Sequence, residues 1–540
     1  MSKLKVIGAL TIALVGFSIF WSPAHAHGFG ERYDLPIPLN YFLLGAAATV
    51  AVSFVVIGWL MRHGGKDFGY PRVNLWSNVV FRVLARTLGR LTGLLSVSLL
   101  VLTVAAGLYG TGDALDNFTP TFVWIIWWVG IGYVVALIGN VWAIANPWQI
   151  AFEWYEKVFC KDGFLRHPPL RWPSSLDSWP ALAGFLLFAW IENVYPGSSR
   201  PFTLSVLVLI YSAYTWCGMF LFGKYTWLRR GDPFAVLFAL FARFSPTEIR
   251  ILKQSGHVDI CSLCISGCLG NRDLVDCVDC YECWELSGDF DSSLELRQLS
   301  IRPWAVGLSR GESVSTALVA FHITALATVT FDGLSETPAW VAVQNALWPL
   351  IDPLPGAAAA TIESLGTLFI PVCFAGVYIF VCGSVSRMSG HSLKKPEVVR
   401  KFVFSLVPIA LAYNLSHYIS FLLITGQQIV PLISNPFGCG LGDWTGFVCM
   451  NGIFPGFEWN LFGTMGYKPN IGLIDARFAW IVSVTALVLG HIISVFTAHV
   501  ISLRSVRSHS IAVRSQYPML FLMIFYTVVS LWIIAQPLIS

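Results

Sequence analysis

Ten apolar runs, each long enough to cross a hydrocarbon layer, decide what this chain can become. They fall at roughly 38–61, 91–111, 121–142, 179–197, 201–222, 313–331, 358–383, 402–424, 477–501 and 518–537. A helix rises about 1.5 Å per residue, so about 20 apolar residues span the ~30 Å core of a bilayer. Inside that core every backbone N–H and C=O must bond within its own segment or its neighbours, which selects helices for runs of this length. Composition agrees: 12% of the 540 residues are charged, about half the fraction of a soluble domain. The expected fold is all-α, a polytopic transmembrane helix bundle of about ten spans. The intervals 73–90 and 232–244 are too short or too charged to cross and read as amphipathic helices at the interface. No nucleic-acid motif is present, and a net charge of +4 says little until the charges are placed.

The N-terminus has the pattern of a secretory signal. Lys3 and Lys5 precede an apolar stretch from Val6 to Phe20, and Ala24-His25-Ala26 forms a small-residue cleavage site. Cleavage after Ala26 makes His27 the mature N-terminus; an uncleaved first span is the alternative. With that end outside, the inner connections are 62–90, 143–178, 223–312, 384–401 and 502–517. They collect Arg62, Lys66, Arg72, Arg82, Arg86, Arg229, Arg230, Lys394, Lys395, Arg504 and other basic residues. The outer segments carry Asp113, Asp116, Asp332, Glu336, Asp352, Asp443 and Glu458 but few basic residues. The positive-inside rule then puts both mature termini outside. This divides the chain into a signal (1–26), a first five-span bundle (27–222), a cytosolic connection (223–312) and a second five-span bundle (313–540) with an outer loop at 425–476. Arg302 and Arg310 read as the basic flank of the sixth span.

The connection 223–312 contains "CSLCISGCLGNRDLVDCVDCYEC", with Cys261, Cys264, Cys268, Cys277, Cys280 and Cys283. In a reducing cytosol stable disulfides are disfavoured, and thiols at this density point to metal. The pairs Cys261/Cys264 and Cys280/Cys283 match a four-thiolate zinc spacing. The ferredoxin run is not reproduced, so an iron–sulfur cluster fits less well. Cys439 and Cys449, in the outer loop, are candidates for a disulfide.

Ionisable residues within spans are expensive and become functional candidates. His322 is central in the sixth span, and Asp332 ends it. Glu192 ends the fourth span and Glu363 begins the seventh, on the same side. Tyr413, Asn414 and His417 share one helical stripe. His491 and His499 are about 12 Å apart along their helix and cannot share an ion. An outer cluster follows: His27, Glu192, Asp332, Glu363 and His417, whose nitrogen and oxygen donors suit zinc, with copper or iron as other possibilities. In a rival reading, His322, His417 and His491 are axial ligands of haem b, and the cysteines carry an iron–sulfur cluster for electron transfer. A metal or small-solute transporter is a third reading and would require helices broken within the membrane. No residue pattern identifies a partner subunit.

The segments "AHGFGERYDLPIPLNYFLLGAAATV" (26–50), "NPWQ" (146–149), "FDGLSETP" (331–338), "SLVPIALAYNLSHY" (405–418) and "RSQYPMLFLMIFYT" (514–527) resemble those of the polytopic bacterial proteins known as fenitrothion hydrolases. The resemblance runs from His27 to the C-terminus. It implies a protein of the bacterial inner membrane that hydrolyses an organophosphate triester, an apolar substrate that partitions into the bilayer. By resemblance His27, Asp332 and His417 carry over as site positions; a divalent metal held by His27 and His417, with Asp332 as ligand or general base, would supply the hydrolytic chemistry. Asp332, Glu192 and Glu363 would serve the catalysis. The cysteine-rich insertion is not a general feature of that family.

Overall fold

The computed structural model describes residues 37–61, 69–159, 168–252, 264, 276–288, 296–310, 314–351, 358–438, 460–506 and 508–536, with the backbone of a few flanking residues. Two short strands, β1 (Ala26–Gly28) and β2 (Glu31–Tyr33), pair antiparallel ahead of the first helix. The helices that build the bundle are α1 (Leu39–Leu60), α2 (Val79–Tyr109), α3 (Phe118–Leu137), α4 (Trp179–Asn193), α5 (Pro201–Phe222), α6 (Pro233–Ala242), α7 (Tyr281–Leu286), α8 (Thr316–Ser335), α9 (Ala358–Met388), α10 (Lys395–Ser434), α11 (Ala476–Ser505) and α12 (His509–Ile534). Among the described residues nine of these are long and apolar enough to cross a membrane. The protein is therefore a multi-pass helical membrane protein. The fourth expected span is α4, present but only 15 residues long.

Burial orders the spans. In α8, 72% of the most apolar window is buried, against 22% in α1 and α2. Thus α8 is the central post, and α1 and α2 turn broad faces of Leu44, Val55, Leu91 and Leu95 outward. A packed bundle needs small residues where backbones approach. Gly490 of α11 supplies this against α10: a Cβ there would lie 2.5 Å from Ala412 Cβ and 2.7 Å from the Pro408 carbonyl oxygen.

The two supposed interfacial helices are corrected. Residues from Val79 onward are the first turns of α2, started by the Asn78 side chain, which accepts from the Val80 and Phe81 N–H groups. α6 is buried in the bundle, with Phe234, Leu237, Phe238 and Phe241 among its seven buried residues. Its polar start is satisfied internally. Asp232 caps the helix by accepting from the Ala235 N–H at 2.7 Å, and it also accepts from Tyr211 (2.5 Å) and Thr215 (3.0 Å) of α5. A short apolar helix capped in this way has no unsatisfied end to send to the interface.

A four-stranded antiparallel sheet closes one end of the bundle. Its order is β3 (Val73–Asn74), β6 (Arg297–Ile301), β4 (Thr247–Leu252), β5 (Asp276–Val278). It joins the connection after α1 to the cysteine-bearing connection before α8. The register places Glu248 opposite Ser300, and Arg302 just beyond reaches back to it. Glu248 accepts from Arg302 at 2.7 Å, Arg310 at 3.1 Å and Arg72 at 2.6 Å. Arg302 and Glu248 side chains are fully buried. Arg302 and Arg310 are thus members of a buried ion network, which corrects their reading as a basic flank. Burial alone pushes the Glu248 carboxyl up, but the guanidiniums outweigh it and hold it below the usual carboxylate range.

Candidate active site

Three helices bring their polar residues to one place at the end of the bundle opposite the sheet. α8 delivers Asp332 in its last turn, α4 delivers Glu192 in its own, and α10 delivers His417 and Tyr418. His417 Nε2 lies 2.9 Å from Asp332 Oδ2, and both side chains are less than one-fifth exposed. The Tyr418 hydroxyl donates to the same Asp332 oxygen at 2.5 Å and stands 3.5 Å from Glu192 Oε1. One phenol therefore links two carboxylates, one of which also holds an imidazole.

Local sequence explains the geometry. Gly333 follows Asp332 and leaves room for α10: a Cβ there would lie 2.7 Å from the Tyr413 hydroxyl and 3.5 Å from His417 Nδ1. Tyr413, one turn before His417, is fully buried and fixes that stripe of α10 against α8. Beside the cluster is a cavity of about 30 Å³, walled by Trp128, Phe185, Leu237 and Phe241, with Glu192 and Asp332 on its polar side. Three of the four wall residues come from two unusual helices. Leu237 and Phe241 belong to the buried half-length helix α6. Trp128 lies in the stretch Thr121–Gly130 of α3, which is wound as a π-helix and ends with the Ile131 N–H bonded to the Ile126 carbonyl. Such winding is rare and concentrates at functional sites.

The expected outer cluster is assembled in part. Asp332, His417 and Glu192 come together. Glu363 does not join their hydrogen bonds; it accepts from Gln344 at 3.3 Å, while its neighbour Ser364 accepts from Trp190 of α4 at 2.8 Å. The His27 side chain and Cys439 and Cys449 lie outside the described residues. Tyr418, the residue that ties the cluster together, escaped the sequence reading. It follows His417 directly and so falls off the stripe, where an aromatic residue reads as lipid-facing packing.

The described donors at this end do not by themselves form a metal cage. His417 and Asp332 are satisfied by each other, and among the described residues no three His, Cys, Asp or Glu donors converge there. Three other described histidines of the spans bond away from this cluster. His322 Nδ1 is 2.5 Å from the Leu318 carbonyl and His491 Nδ1 2.8 Å from that of Leu487, each one turn back on its own helix, while His499 Nδ1 meets Gln516 at 3.1 Å.

At the opposite end, three cysteines approach one another. Cys264, Cys280 and Cys283 place their sulfur atoms within 4.8 Å of each other. Cys277 is buried beside them but outside that trio, and Cys261 and Cys268 lie outside the described residues. No family model, no curated protein and no solved structure matches this chain.

Proposed function

We propose that this chain is an integral-membrane hydrolase that acts on a neutral, apolar ester of the phosphotriester class. The observation that carries this reading is the buried His417–Asp332 pair, tied by Tyr418 to Glu192 beside an apolar-walled cavity. With Nε2–H donating to Asp332, the Nδ1 lone pair of His417 is the one left to take a proton from an attacking water. Asp332 fixes the tautomer and stabilises the imidazolium that results, and Tyr418 holds Asp332 ionised. Attack at phosphorus expels an aryloxide, and the proton on His417 returns to solvent or to that oxygen. Glu192 shares the Tyr418 hydroxyl and is the second proton-holding group. A divalent metal, if bound when His27 is added to the set, supplies Lewis acidity at the phosphoryl oxygen. On this reading the cluster faces outward and both mature termini lie outside, which the positive-inside pattern of the connections supports, in a bacterial inner membrane after cleavage of the signal.

The test is release of nitrophenolate from a nitroaryl phosphotriester by the purified protein in lipid nanodiscs. His417→Ala and Asp332→Asn should each lose about 10²-fold or more, the usual contribution of a general base. Turnover unchanged in His417→Ala rejects the site. A chelator arm separates a metal-assisted reaction from a metal-free one.

A second reading, translocation of a solute or ion, is favoured by one observation: α6 is a half-length helix buried beside the same cavity, as broken helices are in transporters. Uptake into proteoliposomes, abolished by Asp332→Asn and accompanied by no ester cleavage, selects it.

A further inference from the structure

The hydrolase reading makes no use of the thiols at the other end of the bundle, and they carry an inference of their own. The fold arranges them deliberately. β4 pairs with β5 so that Ile251 stands opposite Cys277. The chain then turns at Asp279, whose φ of 54° is a left-handed conformation uncommon outside glycine, and enters α7. Cys280 and Cys283 stand three residues apart across the first turn of that helix and therefore share a face. Cys264 is brought to them across 16 residues of chain, its sulfur 3.8 Å from that of Cys280.

Magnitudes decide among the chemistries open to these sulfurs. A disulfide needs about 2.05 Å between sulfurs, so 3.8 Å is not one. Two thiolates on one tetrahedral zinc-type ion, at about 2.3 Å each, stand about 3.8 Å apart by simple geometry. In an iron–sulfur cluster at most two cysteines share one iron, so a third sulfur stands further from the pair than this trio allows. The trio sits in a buried, apolar setting. Ile251 and Leu296 are buried against the cysteines, and Trp284 and Leu286 pack on them. Glu282 accepts from Cys264 at 3.1 Å, and Arg230 lies close enough for its guanidinium to interact electrostatically with Cys264.

We propose that Cys264, Cys280 and Cys283 bind one soft divalent ion of the zinc class. Cys264, Cys280 and Cys283 are three of the four thiols in the pairs Cys261/Cys264 and Cys280/Cys283 suggested by spacing; Cys261 lies outside the described residues. Binding displaces three thiol protons, leaving three thiolates and one dication with a net charge of −1; Arg230 offsets that charge. The three displaced thiol protons leave to solvent. The ion staples the cysteine-bearing connection to the rest of this end, because α7 already contacts several other segments. Trp284 stacks edge-on against Trp76 at 5.0 Å between ring centres, and Glu285 pairs with Lys224 at 3.1 Å.

The experiment is elemental analysis of the full-length protein in detergent, with a cobalt titration read by sulfur-to-metal charge-transfer absorbance. The expected result is about one ion per chain, at least a tenfold loss of occupancy in Cys280→Ser and in Cys264→Ser, and full retention in Cys382→Ser, a buried cysteine of α9. Cys264 is the less buried of the two, so Cys264→Ser gives a reading if Cys280→Ser fails to fold. Occupancy unchanged in both variants overturns the proposal, as does acid-labile sulfide with iron in the purified protein. The result is independent of any hydrolase assay.

Discussion

Glu248→Gln is the sharpest test of how this fold is held together. The glutamate side chain is fully buried among three guanidiniums, and its closest buried partner, Arg302, is also fully buried. The amide keeps the shape and removes the charge. As a carboxylate partner Arg302 then retains Asp279, 3.9 Å away, with the Ser245 and Arg243 carbonyls still accepting from it, against the cost of a cation held out of water. Removing one partner of a buried ion pair costs about 3–5 kcal/mol; the residual Asp279 contact argues for the lower end. At about 1.4 kcal/mol per tenfold, a loss of about 3 kcal/mol lowers the protection of the sheet's amides roughly 100-fold. Hydrogen exchange read by mass spectrometry on peptides covering Thr247–Leu252 measures this locally, without requiring the bundle to unfold. The double variant Glu248→Leu, Arg302→Met removes both charges and should recover most of the loss. Protection within about threefold of the parent in Glu248→Gln, below about 0.7 kcal/mol, would refute the argument.

The same network sets a pH window. Burial alone raises the Asp279 carboxyl, but Arg310 and Arg302 outweigh it, and both Asp279 and Glu248 are held below the ordinary range. Carboxyls depressed in this way contribute stability that is complete above their unfolded values, about 3.9 for Asp and 4.3 for Glu, and is lost as pH falls through the lower folded values. Exchange protection of β4 should therefore be level from neutral to about pH 5 and decline below about pH 4; a decline centred near pH 6 would assign it to another group. Gly490→Ala forces α10 and α11 apart against backbone and should destabilise by about 1–3 kcal/mol, read as a lower melting temperature in detergent; an unchanged melt would mean the close approach is not tight. Tyr418→Phe keeps the ring and removes the link between Asp332 and Glu192, so the reaction of the proposed hydrolase should fall about 10-fold or more, with a melting temperature lowered by the loss of one hydrogen bond to a charged group, about 1.5–3 kcal/mol. A Tyr418→Phe variant of full activity would leave the hydroxyl without a role.

Most of the bundle was legible because lipid imposes one rule on every span, and long apolar runs announce it. What failed to show in sequence depends on pairing between distant segments. Glu248 and Arg302 are 54 residues apart and meet only because β4 and β6 pair in one register, so each looked like an ordinary charge in a basic connection. α6 looked interfacial because its length is that of an interface helix, and nothing local reveals that Tyr211 and Thr215 will satisfy Asp232 from another helix. Asp332, Glu192 and His417 were visible as costly residues in apolar runs. Their common hydrogen-bonding partner was not, since Tyr418 is an unremarkable aromatic residue until three helices are packed. Of the two cysteine pairs suggested by spacing, the turn at Asp279 and the start of α7 bring Cys280 and Cys283 to Cys264, while Cys261 lies outside the described residues.

The length of α4 has a consequence for the surrounding lipid. Fifteen residues rise about 22 Å, while a bilayer's hydrocarbon is about 30 Å thick. The 31 residues of α9, whose Ser364 bonds to α4, rise about 46 Å. Such hydrophobic mismatch is relieved by thinning of the bilayer at a cost of fractions of a kcal/mol per Å. Thinning at the short α4 would bring headgroups and water toward its end, where Glu192 stands.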